Sequence, residues 1–249
     1  MNVQTPPSDA ERVEKLQGLG SSRKRVEDAR FTQGKGNYVD DIKMPGMLFG
    51  DFVRSPYGHA RIKSINKDAA LAVPGVVAVL TAEDLKPLNL HYMPTLAGDV
   101  QAVLADEKVL FQNQEVAFVV ASDRYIAADA AELVEVDYEE LPVLVDAFKA
   151  MDDDAPLLRE DIKDKMEGAH GPRKHHNHIF TWEQGDKDAT EQVLADADVV
   201  AEEMVYYHRT HPCPLEPCGC VASMDKVNGK LTIYGTFQAP HAIRTVVSL

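Results

Sequence analysis

The densest group of metal-binding side-chain types comprises His208, His211, Cys213, Cys218 and Cys220. Imidazoles and thiolates are the usual ligands of zinc, and thiolates also hold iron–sulfur clusters. The group contains no C-x-x-C pair, and on a strand Cys218 and Cys220 would point to opposite faces. Three prolines also stiffen the segment. The spacing therefore favours small buried side chains over a metal centre.

A histidine run, His175-His176-Asn177-His178, has the same ambiguity. Adjacent side chains of an extended segment diverge, and no carboxylate or cysteine stands at a fitting offset. We predict a polar strand edge or an inter-subunit contact. His176 and His178 would share one face and would be able to hydrogen-bond across a domain boundary.

The other short patterns do not indicate an enzyme. The segment Gln33-Gly34-Lys35-Gly36 follows no predicted strand and opens no helix, so it is a weak phosphate-binding pattern. There is no G-x-S-x-G nucleophile elbow. The carboxylates at 139–140 and 152–154 lie in predicted solvated turns, where general acid–base catalysis is not expected.

One long amide, Gln238, stands between a predicted strand at 231–236 and a predicted helix that begins at Pro240. An amide donates and accepts hydrogen bonds without titrating. Such a group suits the orientation of an oxo or sulfido ligand or a developing oxyanion. Capping of backbone groups at a strand end is the alternative, and spacing alone favours it. Because the sequence ends soon after this helix begins, we expect a part of a larger protein.

The elements that position these residues indicate a mixed α/β, or α+β, fold. Residues 115–121 read as a buried central strand, Ser122 or Asp123 caps a helix at 125–133, and a strand follows at 134–138. Residues 88–104 are predicted to form a loop. The acidic segment 150–171 reads as a linker between domains.

Beyond this linker the pattern predicts a helix at 186–197 and a hairpin turn at Asn228-Gly229. Strands are predicted at 179–183, 199–208 and 220–224.

Composition narrows the function classes. The net charge of −14 argues against nucleic acid and against an anionic membrane surface. No signal peptide or membrane-spanning run is visible, and three cysteines are too few for a disulfide framework. A cytoplasmic protein is expected, with an association with the inner face of the membrane as the alternative.

Longer stretches are more specific. They comprise RFTQGKGNYVDDIKMPGMLFGDFVRS from Arg30, GTFQAPHAIRTVVSL from Gly235, and the Glu216-Pro217 pair. The sequence resembles the molybdenum-binding large subunits of the xanthine oxidase family of molybdenum hydroxylases, and within it the carbon monoxide-oxidising branch. The similarity covers nearly the whole chain from Arg23 onward.

The resemblance implies a domain plan. It consists of an N-terminal arm (1–30), an α/β "hammerhead" domain (31–148), an acidic linker (149–172) and the start of a molybdopterin-binding domain (173–249). Gln238 matches the glutamine that stands beside the molybdenum and hydrogen-bonds one of its terminal ligands. No catalytic role is implied for Glu216-Pro217, and neither a catalytic residue nor a metal ligand is assigned within this chain.

The resemblance also implies an activity, the oxidation of carbon monoxide with water to carbon dioxide. The implied cofactors are molybdopterin cytosine dinucleotide with molybdenum, and copper, with FAD on a medium subunit and [2Fe–2S] clusters on a small subunit. A dimer of heterotrimers is implied. The family segments that define the reaction are not in these 249 residues, so the chain alone is expected to be inactive. Two alternatives stay open: a copper-free hydroxylase of aldehydes or N-heterocycles, and a stand-alone binding or assembly module.

Overall fold

The computed structural model describes residues 24–94, 100–160, 167–168 and 171–248. The chain divides into two compact units. The first unit combines Met1–Lys43 with Pro212–Phe237, and the second combines Met44–His211 with Gln238–Leu249. Most of the predicted N-terminal arm lies outside the described residues.

Within the described residues the strands are short and are named here in chain order. They are β1 (Phe49–Arg54), β2 (Ala60–Asn66), β3 (Val76–Thr81), β4 (Tyr92–Pro94), β5 (Val100–Ala102), β6 (Lys108–Val109), β7 (Glu115–Ala121), β8 (Glu135–Glu140), β9 (Glu167–Gly168), β10 (Gly171–Pro172), β11 (Cys220–Met224) and β12 (Leu231–Gly235). The α-helices are α1 (Asp28–Phe31), α2 (Asp68–Leu71), α3 (Ala82–Leu85), α4 (Arg124–Glu132), α5 (Lys187–Ala195) and α6 (Pro240–Ser248).

The second unit contains two three-stranded antiparallel sheets, in the orders β1-β7-β3 and β6-β2-β8. The predicted central strand is confirmed as β7, which pairs with a neighbour on each side. Its residues Val116, Ala117, Val119 and Ala121 are fully buried. An apolar run flanked by two pairing partners can satisfy its backbone and bury its side chains together.

Helix α4 packs against the first of these sheets. The Asp123 carboxylate accepts a hydrogen bond from the Tyr125 N–H (2.8 Å), which confirms the predicted N-cap. Ala127 and Ala130 are buried on the inner face of the helix. Their small side chains permit a close approach, and Ala130 joins Val119 in one buried cluster.

The acidic segment after β8 is held by specific contacts. The Asn177 side chain donates to the carbonyls of Ala150 (3.1 Å) and Pro156 (3.0 Å) and accepts from the Leu158 N–H (3.2 Å). Glu160 forms ion pairs with Arg61 at 2.7 Å and Lys108 at 3.6 Å. Partial burial acts to raise the pKa of Glu160, but the two neighbouring cations outweigh it and lower that pKa.

Three predictions fail. Residues 179–183 and 199–208 form no strand, although both have strand-forming side chains. A strand is completed by a ladder with a neighbour, and no described strand pairs with either segment. The predicted loop at 88–104 instead contains the antiparallel pair β4 and β5.

No helix in the described part of the chain combines the length and the apolar character that a membrane crossing requires.

Candidate functional site

The hairpin of β11 and β12 leads the chain to Gln238. Cys220 pairs with Gly235 at one end of this antiparallel ladder, and Met224 pairs with Leu231 at the other. Asn228 accepts the Lys230 N–H through its side chain (2.8 Å), and Gly229 adopts a positive φ of 71°. The predicted hairpin turn centred on Asn228-Gly229 is confirmed between Asp225 and Lys230: the Gly229 N–H donates to the Asp225 carbonyl (2.8 Å), and Gly229 supplies the positive φ that the turn requires.

The end of β12 is fixed on both sides. The Thr236 N–H donates to the Gly219 carbonyl (3.2 Å), which extends the pairing by one residue. The Phe237 ring lies against Gly235, where a Cβ would come within 2.2 Å of the ring. Glycine is required at position 235 for Phe237 to occupy this place.

Gln238 follows directly, and its side chain is exposed. Helix α6 begins two residues later at Pro240 and runs for nine residues, with the Ile243 N–H bonded to the Ala239 carbonyl (3.1 Å). The helix N-terminus carries partial positive charge from its unpaired N–H groups. The chain thus presents a neutral amide just ahead of a helix N-terminus, an arrangement able to hydrogen-bond an electronegative ligand.

The three cysteines are exposed, and they form no disulfide with one another. Cys213 lies between two prolines and has a φ of 45°, an unusual value for a residue with a side chain. Within the described ranges, no three His, Cys, Asp or Glu side chains converge as metal ligands would. The expectation of small buried side chains is wrong for all three cysteines.

The histidine run forms a turn, so the predicted strand edge is wrong. His178 accepts the Lys174 N–H at Nδ1 (2.9 Å), and its Nε2 lies 3.0 Å from the Thr181 hydroxyl. His175 accepts the Asn177 N–H at Nδ1 (3.2 Å). Each Nδ1 accepts a backbone N–H within the turn, so both rings are engaged locally.

Arg173 organises this turn and was missed by the sequence reading. Its guanidinium is buried, with 5% of the residue exposed, and donates to the carbonyls of His176 and His178. Lone arginines are usually solvated, so nothing in the local pattern indicates this role.

Glu216 belongs to the Glu216-Pro217 pair that carries the resemblance, but the sequence did not indicate its contact. Its Oε1 accepts the Val39 N–H at 3.0 Å, although the two residues are 177 positions apart. Val39 opens a short 3₁₀ helix, Val39–Asp41, whose first N–H groups lack partners within the helix. The contact lies within the first unit.

Two protein-family models match this chain. A family model for the a/b hammerhead domain of aldehyde oxidase and xanthine dehydrogenase matches residues 33–142. A second, for the molybdopterin cofactor-binding domain, matches residues 170–249. Together they cover most of the chain. The protein belongs to the aldehyde oxidase and xanthine dehydrogenase family.

Two curated relatives in this family are carbon monoxide dehydrogenase large chains. The one from Afipia carboxidovorans is 77% identical over 251 residues, which cover 100% of this chain and 31% of the relative. The one from Hydrogenophaga pseudoflava is 65% identical over 248 residues, with 99% and 31% coverage. This chain therefore spans about a third of the length of these relatives.

The fold is also similar to that of a solved carbon monoxide dehydrogenase. The Cu,Mo-CO dehydrogenase in its carbon monoxide-reduced state has a TM-score of 0.81 and 78% sequence identity, and the match covers 94% of this chain and 30% of that one. The predicted fold class is confirmed: a hammerhead α/β domain is followed by the start of a molybdopterin-binding domain. Gln238 and Glu216 lie in the molybdopterin-matched stretch, and Val39 lies in the hammerhead-matched stretch.

Proposed function

We propose that this chain is part of the large subunit of an enzyme that oxidises carbon monoxide with water to carbon dioxide, releasing two protons and two electrons. The main support for this proposal is the 77% identity to a carbon monoxide dehydrogenase large chain over the whole of this sequence. The domain plan proposed for it is an arm (1–30), a hammerhead domain (31–148), a linker (149–172) and a molybdopterin-binding domain that begins at residue 173.

The cofactor proposed for this enzyme is molybdopterin cytosine dinucleotide with molybdenum, together with copper. The match of residues 170–249 to a molybdopterin-binding domain supports the first, and the copper–molybdenum composition of a structural neighbour supports the second. When bound, the metal centre would supply the two-electron redox chemistry.

Gln238 is the residue of this chain proposed to face the molybdenum. Its exposed amide, set ahead of the α6 N-terminus, fits the hydrogen-bonding needs of a terminal molybdenum ligand. An amide holds such a ligand in place without adding or removing a charge as pH changes. The proposed role is orientation of that ligand.

The proposed partners are a medium subunit with FAD and a small subunit with [2Fe–2S] clusters, in a dimer of heterotrimers. Electrons from carbon monoxide would leave through the clusters to FAD. The name "large chain" of both relatives supports an assembly of unequal subunits. The proposed location is the cytoplasm.

The test uses the complete enzyme that contains this sequence, purified with its partner subunits. We expect carbon monoxide-dependent reduction of an electron-accepting dye, and molybdenum and copper in equal amounts. Turnover of an aldehyde or N-heterocycle by a molybdenum-containing, copper-free protein would contradict the proposal and support the copper-free hydroxylase.

The 249-residue chain is the control in this experiment. We expect it to show no turnover of carbon monoxide under the same conditions. A monodisperse, cooperatively melting 249-residue protein with a specific partner and no link to a larger enzyme would support the stand-alone module instead.

A further inference from the structure

Glu216 is more buried than its neighbours and makes a hydrogen bond to a distant part of the chain. Leu215 is fully exposed and Pro217 is exposed, whereas Glu216 is half-buried with its carboxylate on the Val39 N–H at 3.0 Å. A hydrogen bond from a neutral N–H to a carboxylate is stronger than one between neutral groups. It also satisfies a donor that the 3₁₀ helix Val39–Asp41 leaves unpaired.

The contact continues toward Gln238 through the first unit. Gly219 lies beside Val39, since a Cβ at Gly219 would be 3.9 Å from Val39 Cγ1. The Gly219 carbonyl accepts the Thr236 N–H (3.2 Å), and Cys220 pairs with Gly235. One continuous set of contacts therefore leads from Glu216 to Thr236, which is two residues before Gln238.

We infer that Glu216 is a positioning residue for Gln238. Its carboxylate fastens the 39–41 helix to the 216–219 segment, and this junction fixes the point at which the chain leaves β12. The inference rests on the proposed function, because Gln238 orients a ligand only if the chain binds the molybdenum cofactor. The bond also joins the hammerhead-matched stretch to the molybdopterin-matched stretch.

Two variants of the complete enzyme separate position from charge. Glu216→Gln keeps an oxygen acceptor for the Val39 N–H but removes the charge, whereas Glu216→Ala removes the acceptor. In Glu216→Ala we expect hydrogen exchange of the Val39 amide to rise about tenfold, which corresponds to ~1.4 kcal/mol of lost hydrogen bonding. We also expect kcat to fall about tenfold with little change in KM, and the molybdenum EPR signal to change as it does in Gln238→Ala.

Glu216→Gln is expected to stay within about threefold of wild type in exchange and in kcat, because an amide oxygen still accepts the bond. Glu203→Ala, an exposed carboxylate, is the matched control and should leave all three measurements unchanged. Equal losses in the Gln and Ala variants, with Val39 exchange unchanged, would overturn the inference in favour of a role for the charge itself. Wild-type behaviour of Glu216→Ala in all three measurements would also overturn it.

A variant on the other side of the bond covers the case in which Glu216→Ala fails to assemble. Val39→Pro removes the N–H donor at the first position of the 3₁₀ helix, and the extended Tyr38 backbone (φ −104°, ψ 167°) accommodates a following proline. This variant should show the same kcat loss and the same EPR change, and wild-type values of both would refute the inference.

If the wild-type enzyme lacks molybdenum and carbon monoxide turnover, the proposed function fails. In that case faster exchange at residues 235–239 in Glu216→Ala, but not in Glu203→Ala, still supports the mechanical link, and unchanged exchange refutes it.

Discussion

Strand β7 and the segment 199–208 have similar strand-forming sequences but different surroundings. β7 has a paired strand on each side, and Val116, Ala117 and Val119 are completely buried. In the other segment Val199 is 85% exposed and Tyr207 is 90% exposed, and no described strand pairs with it. An apolar pattern therefore specifies which side chains favour burial, whereas a strand also requires a neighbour to bond its backbone.

The first and largest test of this difference places a charge in each region. Val119→Asp introduces an unpaired carboxylate into the core and should lower the free energy of unfolding by about 4 kcal/mol or more. Val205→Asp, at a residue that is 82% exposed, should change it by less than about 0.5 kcal/mol. Urea denaturation of the two variants measures both values. Equal destabilisation would show that the second segment is packed in solution.

A smaller effect is expected at the buried guanidinium of Arg173. Arg173→Met keeps an unbranched apolar stem but leaves the carbonyls of His176 and His178 without these donors. The free energy of unfolding should fall by about 2 kcal/mol. Arg209→Met, at an exposed residue directly after the segment 199–208, is the control and should have little effect. Thermal melts measure both variants. Equal melting temperatures for Arg173→Met and Arg209→Met would contradict the stabilising role of the Arg173 hydrogen bonds.

The Asp84 carboxylate, in the hammerhead-matched stretch, allows a test of stability against pH. Lys67 donates to it at 2.7 Å, and this hydrogen bond, with bonds from Thr81, lowers the pKa of Asp84 below 3.8 despite opposing burial. A group with a lowered folded-state pKa stabilises the protein above its unfolded pKa. That contribution is lost as pH falls through the folded value.

Asp84→Asn should therefore lower the free energy of unfolding near pH 7 and make no difference at pH well below 3.8. Denaturation at several pH values measures this change. Lys67→Met should weaken the pH dependence, and an unchanged profile would show that the ion pair is not its cause.

The smallest effect is expected for the surface pair Arg54–Glu115 (2.6 Å), whose arginine side chain is 45% exposed. Glu115→Gln should cost less than about 1 kcal/mol at low salt. The cost should shrink in ~1 M salt because screening weakens exposed ion pairs. A large, salt-independent loss would mean that Glu115 contributes through packing.

The sequence predicted features that depend on adjacent residues or on the composition of one segment. The Asp123 cap and the Asn228-Gly229 turn depend on adjacent residues, and the central strand was indicated by its continuous apolar run. All three are present, although the pairing partners of the central strand are distant in the sequence. The contacts that the sequence could not indicate are long-range. Val39 and Glu216 are 177 residues apart, and no periodicity or spacing relates an N–H to a carboxylate at that distance.

The candidate site was indicated by resemblance to a family and not by residue spacing. Spacing alone favoured a capping role for Gln238, and the placement beside molybdenum came from resemblance to a family. The family and the fold class are confirmed, while the role of Gln238 and the domain boundaries stay predictions. A strand, a loop and a helix start are common to many proteins, so local geometry does not identify a cofactor.

Molybdenum spectroscopy of Gln238→Ala in the complete enzyme tests the central claim most directly. We expect the variant to retain molybdenum but to show an altered molybdenum EPR signal, with turnover of carbon monoxide reduced roughly tenfold or more. A variant with wild-type molybdenum content, EPR signal and turnover would contradict the placement of Gln238 beside the metal.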